Sequence, residues 1–505
     1  MDERQAEGAY SEQLSTGIAG LDDILCGGLD PDCLYLIEGE PGTGKTTLAL
    51  QFLLDGARQG QKGLYVTLSE SERELRLVGC RHGWSLDDLS IFELVPPEAT
   101  LDPEKELTLF HPSELELGET SELIFDRVNQ IGPSRVVFDS LSELRLLAQN
   151  SLRYRRQILA LKHFFAGRRS TVLLLDDFSS KEGDVQLHSV AHGVVTLQQI
   201  ALDYGAARRR LRVQKMRGRN FRGGYHDFNI ETGGLRVFPR LVAAEHHKEF
   251  MGAPTPSGVA ELDTLLGGGL ERGTSALLVG GAGVGKSSIA VTYAVGAASR
   301  GEPVAMFAFD EGLGSLFARA AGLGVPLRDC VDRGLITIQQ IDPAELSPGE
   351  FTQVVRDAVE KRGARVLVID SLNGYLNAMP DDRFLVLQMH ELLSYLNQLG
   401  ILTIMVLAQH GMVGHMQTPI DLSYLSDAVI MLRYFEASGE VRRAISVVKK
   451  RSGAHENTIR EFQLTSNGLK VGPPLKEFNG ILTGTPTYVG DPRPLMPEQG
   501  DAERS

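Results

Sequence analysis

GEPGTGKTT, Gly39 to Thr47, fits the pattern GxxxxGK[ST], and GGAGVGKSS, Gly280 to Ser288, fits it again later in the same chain. In such a loop the glycines let the backbone curl so that successive N–H groups point inward at phosphate oxygens. The lysine reaches the outer phosphates and the hydroxyl ligates Mg2+. The pattern carries meaning only between a strand and a helix, and both copies have that setting. CLYLIEG and SALLVGG are apolar runs leading into the loops, and TLALQFLLDGARQG and SSIAVTYAVGAASRG follow with apolar residues at helical spacing. Phosphates bound there would sit at a helix N-terminus. The expected ATP ligands are Gly39, Gly42, Thr43, Gly44, Lys45, Thr46 and Thr47 in the first copy. In the second they are Gly280, Gly283, Val284, Gly285, Lys286, Ser287 and Ser288.

The loops belong to a larger repeat. Lys45 and Lys286 are 241 residues apart, and the same spacing joins STGIAGLDDILCGGL (Ser15 to Leu29) to PSGVAELDTLLGGGL (Pro256 to Leu270). It also joins LYVTLSE (Leu64 to Glu70) to AMFAFDE (Ala305 to Glu311). With the spacing slipped to 231, RVVFDS matches RVLVIDS, and TVLLLDD (Thr171 to Asp177) matches LTIMVLAQ (Leu402 to Gln409). A spacing held this long marks a duplicated domain. Short Val/Leu/Ile-rich runs between helical stretches indicate parallel strands buried on both faces. The expected fold is therefore α/β: two tandem P-loop domains, each a mostly parallel twisted sheet flanked by helices. The expected boundaries are 11–242 for the first domain, 243–255 for a polar, Pro-containing linker, 256–471 for the second domain and 472–505 for a flexible tail.

Composition narrows the setting. The chain has 505 residues, 42% hydrophobic and 23% charged, with a formal net charge of −14. That charge opposes whole-surface attraction to nucleic acid or anionic membrane. No apolar run reaches the ~18 residues needed to cross a bilayer. The N-terminus is polar, and the four cysteines lack metal-ligand spacing, so a cytoplasmic protein with reduced thiols is expected.

Carboxylates complete the chemistry. Asp139 and Asp370 end apolar strands, which suits an aspartate that holds Mg2+ through water. Glu70 and Glu311 end the second strand of each copy, where ligands of open α/β sheets bind, and are candidates to orient or deprotonate a nucleophile. Ser69 precedes the first and Asp310 the second, so the second copy offers two carboxylates. Expected metal ligands are Thr46, Ser287, Asp139, Asp370 and Asp310, and expected catalytic groups are Glu70, Glu311 and Asp310.

The doubled entry motif, both loops, the acidic strand ends and the late motifs KMRG (Lys215 to Gly218) and KKRS (Lys449 to Ser452) resemble the KaiC family of circadian clock proteins and their bacterial relatives. The likeness runs from about Ser11 to Val471. It implies that the fold is two tandem RecA-like P-loop domains, arranged in two stacked six-membered rings with ATP at subunit interfaces. Lys215, Arg217, Lys449, Arg451 and His455 would then reach a neighbour's nucleotide. It further implies a slow ATPase in the first ring and transfer of phosphate to the protein's own Ser/Thr residues in the second. Ser423 falls on the family's first phosphorylated position, Thr418 on a nearby auxiliary hydroxyl, and Tyr424 stands where a second phosphorylated threonine would be. The C-terminal tail resembles a segment through which a regulatory protein acts.

Two other readings stand beside this one. RRRLRVQKMRGRNFR, Arg208 to Arg222, holds eight basic residues in fifteen, as a RecA-type DNA recombination motor could. Its overlap with KMRG and its strand-like alternation favour contact with a neighbour's ATP instead. A non-catalytic scaffold ordered by ATP is the third reading.

Overall fold

A computed structural model describes residues 13–94, 112–148, 150–177, 185–202, 204–250, 252–376, 382–409, 423–437, 439–482 and 486–489. The chain divides into two compact units, Met1–Arg240 and Leu241–Ser505.

In the first unit β1 (Leu34–Gly39), β2 (Gly63–Thr67), β3 (Leu89–Glu93), β4 (Arg135–Asp139), β5 (Thr171–Asp177) and β6 (Gly193–Ile200) run parallel. The sheet continues antiparallel through β7 (Arg208–Met216), β8 (His226–Glu231) and β9 (Gly234–Phe238). The order is β3-β2-β4-β5-β1-β6-β7-β8-β9. Strands β1, β2 and β4 are buried along their whole length, as strands covered on both faces must be. One apolar cluster joins the helix Lys45–Arg58 to the sheet through Leu48, Phe52 and Leu53, and a second fills the opposite face through Ile124, Ile158 and Phe165.

The second unit opens with a small ribbon, β10 (Pro254–Thr255) paired with β11 (Leu270–Glu271). Its main sheet comprises β12 (Ser275–Gly280), β13 (Val304–Ala308), β14 (Ile336–Gln340), β15 (Val366–Asp370), β16 (Leu402–Ala408), β17 (Ala428–Ala437), β18 (Glu440–Lys450), β19 (Ile459–Thr465) and β20 (Gly468–Pro474). The order β14-β13-β15-β16-β12-β17-β18-β19-β20 repeats the first sheet strand for strand. The expected pair of mostly parallel, helix-flanked sheets is therefore observed. Both units also carry a bulge on the first antiparallel pairing, between Val194 and Val195 and between Val429 and Ile430.

Within the expected linker, Ala243–Glu245 forms a 3-10 turn, and Lys248 N–H donates to Gln398 O at 3.2 Å in the second unit. From Gly472, where a tail is expected, the described residues complete β20 and bury Ile481 in a small cluster with Phe435 and Ala444.

Parallel pairing brings the carboxyl ends of the strands together. Gly39 lies opposite Asp177 and Thr67 opposite Asp139; in the second unit Gly280 lies opposite Ala408 and Ala308 opposite Asp370. The antiparallel strands return to the phosphate loop from the other side. A Cβ on Gly44 would lie 2.7 Å from Ile230 Cδ1, and one on Gly285 3.0 Å from Leu464 Cδ1 and 3.3 Å from Phe462.

Candidate functional site

Each loop joins a buried strand to a helix, as the motif requires. Gly44 and Gly285 take φ of 99° and 113°, left-handed values that side chains rarely adopt, and the helices Lys45–Arg58 and Lys286–Ser299 begin at the next residue. Lys45 Nζ donates to Gly39 O at 2.8 Å and Glu40 O at 3.0 Å. Lys286 Nζ does the same to Gly280 O at 2.9 Å and Gly281 O at 2.7 Å. Thr43 and Val284 are fully buried, and Thr43 Oγ1 donates to Glu40 O at 2.8 Å, so these two could offer a ligand backbone only.

In the first unit Thr46 Oγ1 donates to Asp139 Oδ2 at 3.2 Å, and the buried Tyr65 hydroxyl donates to the same oxygen. Burial raises the Asp139 carboxyl pKa, against the pull of those hydrogen bonds and of Lys45. Lys45 also pairs with Asp177 at 2.8 Å, and Ser142 Oγ donates to Asp177 at 3.0 Å. Glu70 is set by its neighbours. Thr67 Oγ1 donates to Glu70 O at 2.6 Å, and a capping box between Ser71 and Glu74 starts the helix Glu72–Arg81 directly after it. Glu70 Oε2 is buried without a hydrogen-bond partner among the described residues. Burial first, and then Asp139 and Glu74, raise its pKa.

The second unit lines a cleft of about 490 Å³ with Lys286, Ser287, Ser288, Asp310, Glu311, Asp370 and Ser371. Ser287 hydrogen-bonds Asp370, whose pKa is raised by burial, opposed by Ser287 and Arg319. Ser371 Oγ donates to Asp310. Arg319, unforeseen from the sequence, lies across this group. Its Nε donates to Glu311 Oε1 at 3.2 Å, one terminal nitrogen to Glu311 Oε2 at 2.6 Å, and the other to Ser288 Oγ at 3.2 Å. Lys286 has no counterpart to Asp177, because Ala408 occupies that register position. Burial lowers its pKa to about 8, with Asp370 opposing.

Both sites therefore join an inward-curled loop to a hydroxyl–carboxylate pair, Thr46 with Asp139 and Ser287 with Asp370. That all-oxygen donor set suits a hard dication such as Mg2+. A nearby glutamate stands in each. Asp310 and Glu311 share one cleft, as their sequence positions imply.

The cations expected to reach a neighbour contact their own chain. Lys215 Nζ donates to His188 O and to Ala191 O at 2.9 Å, and Arg217 to Ser189 O. Lys449 Nζ donates to Ser426 O at 2.8 Å, while Arg451 reaches Asp427 at 3.3 Å and Tyr424 O at 3.0 Å. His455 is half-buried after β18. Ser423 begins the 3-10 turn Ser423–Leu425, and Tyr424 is 53% exposed. Thr418 lies outside the described residues. Much of the basic run is engaged internally: Arg210 stacks over Tyr225 at 4.0 Å, Arg219 donates to Gly28 O at 3.1 Å and to Leu25 O and Cys26 O at 3.0 Å, and Arg222 pairs with Asp23 at 3.3 Å.

The chain is similar to known proteins. A family model for the KaiC ATPase matches residues 14–242 and again 255–476. A circadian clock protein KaiC3 from Synechocystis sp. is 27% identical over 491 residues, 95% of this chain and 95% of the relative. Circadian clock oscillator proteins KaiC from Acaryochloris marina and Synechococcus elongatus are 27% and 26% identical, each over 94% of this chain and 92% of their own length.

Proposed function

The chain belongs to the KaiC ATPase family, and from that premise we propose that it binds MgATP at both loops, hydrolyses it at the first site and phosphorylates its own Ser423 from the second. The observation that carries this reading is the loop hydroxyl paired with a strand-end aspartate in both units, beside a glutamate. Lys45 and Lys286 would hold the outer phosphates, and the loop N–H groups the rest. Thr46 with Asp139, and Ser287 with Asp370 and Asp310, would hold Mg2+, which neutralises charge on the phosphates when bound. Glu70 would orient water in the first site. Glu311 is the proposed base of the second, with Asp310 beside the metal. The acceptor would be Ser423, in a turn whose carbonyl at Tyr424 is held by Arg451; Thr418 is the proposed auxiliary hydroxyl.

In this reading the protein works in the cytoplasm as a hexamer of two stacked rings, with Lys215, Arg217, Lys449, Arg451 and His455 turned to a neighbour's nucleotide. A regulatory protein would act at the C-terminal tail. No helix among the described residues is long and apolar enough to cross a membrane. The internal engagement of the basic run lends the DNA reading no support. Incubation with γ-labelled ATP tests the proposal. Label on the wild type, lost in Ser423→Ala and Glu311→Gln, is the expected result. Phosphate release without label leaves an ATPase alone, and neither activity leaves an ATP-ordered scaffold.

A further inference from the structure

We propose that Arg319 is a positioning residue that restrains Glu311 from the nucleophile of the second site, and that the first site, with valine at the matching place, has no such restraint. This inference rests on the phosphoryl-transfer reading above.

The two units supply the comparison. The helices Glu72–Arg81 and Leu313–Gly322 occupy matching places after Glu70 and Glu311, and Val78 corresponds to Arg319. Around Glu311 the guanidinium donates to both carboxylate oxygens, at 3.2 and 2.6 Å, in the forked geometry that makes such pairs strong and directional. Its third contact, to Ser288 Oγ, ties the fork to the helix that carries Lys286 and Ser287. Glu311 is therefore fastened to the phosphate-loop helix. Both of its oxygens are engaged by a cation, whereas Glu70 Oε2 is buried with no partner among the described residues.

The chemical consequence follows from what a base must do. An oxygen of water or of Ser423 bonds to the γ-phosphorus as the bond to the β–γ bridging oxygen breaks. ADP leaves, and the nucleophile's proton passes to a carboxylate. The fork occupies one acceptor site on each Glu311 oxygen and holds the carboxylate against the phosphate-loop helix, so that it is not free to turn toward the nucleophile. Glu311 must leave the fork before it can serve.

The test uses the full-length chain with Glu70→Gln, so that turnover reports the second site. The initial rate of γ-phosphoryl transfer, protein label plus free phosphate, is measured across MgATP concentrations, and its limit at saturation is read as kcat. Arg319→Val is expected to raise kcat by about tenfold with KM within about twofold, a gain well inside what a freed general base can contribute. Arg319→Lys, which keeps a cation at the site, is expected to stay close to the parent rate. Adding Glu311→Gln to Arg319→Val is expected to erase the gain. A merely structural role would lower kcat or raise KM, and either result, or an unchanged kcat in a variant that still binds ATP, overturns the proposal. Absence of turnover in both the wild type and the Glu70→Gln chain, with ATP still bound, overturns the phosphoryl-transfer reading and the restraint with it.

Discussion

The same lysine has different company at the two loops. Lys45 meets Asp177 at 2.8 Å, whereas Lys286 meets no carboxylate at that register position, because alanine occupies it. A phosphate arriving at the first site would compete for Lys45 with Asp177 and with the Gly39 and Glu40 carbonyls. The pair is partly exposed, so its worth lies in the range of ordinary surface pairs, well under a few kcal/mol. Asp177→Ala, read in a Lys286→Ala chain by titration with a fluorescent ATP analogue, should tighten binding at the first site by about two- to fivefold; weaker binding would show that Asp177 helps to hold the nucleotide. The loops and the strand-end aspartates were legible because each sits in a short contiguous motif. Asp177 and Arg319 were not. Asp177 reaches Lys45 only through the parallel register of β1 and β5, and Arg319 reaches Glu311 by two turns of helix that no motif marks.

At the scale of strands and helices, two buried basic groups hold the first unit together. Arg135, at the start of β4, is fully buried and donates to Ser15 O at 3.0 Å, to Phe52 O and to Gln61, and pairs with Asp55 at 3.3 Å. It thereby joins the entry segment, the phosphate-loop helix and the sheet. Arg135→Met removes the donor to the Ser15 and Phe52 carbonyls and leaves Asp55 to Gln59 at 2.7 Å and Arg58 at 3.9 Å, and should cost about 3 kcal/mol. Faster amide exchange in residues 45–58 is the expected readout. His226 on β8 accepts from Arg240 N–H at its Nδ1 and so donates from Nε2 to Arg222 O. A second proton would face an N–H, and burial already lowers the pKa to about 4. The unfolded chain binds that proton below about 6.5 and the folded unit does not, so stability falls as pH drops from about 6.5 to 4, by about 3 kcal/mol. Denaturant midpoints across this window should fall more steeply in the wild type than in His226→Gln. The parallel strands were readable from the repeat, since apolar runs mark strands buried on both faces, but their order in the sheet was not. The bulges beside Lys215 and Lys449 were not, because one extra residue leaves the composition of a strand unchanged.

Over the whole molecule, duplication supplied one scaffold twice, and the differences lie in single side chains set against it: Asp177 for Ala408, Tyr65 for Met306, Val78 for Arg319. Two independent loops predict a stoichiometry: about two ATP bound per chain, about one in Lys45→Ala or Lys286→Ala, and none in the double variant, measured by equilibrium dialysis. Binding of two equivalents in either single variant would break the equivalence of motif and site. The contact of Ile230 with Gly44, and of Phe462 and Leu464 with Gly285, also bears on how such a chain is made. Each loop emerges from the ribosome early in its domain, but the residues that back it belong to the strands translated last. Nucleotide capture should therefore mature domain by domain during synthesis. A nascent chain halted before β8 would carry a complete loop sequence without the wall that gives the loop its shape.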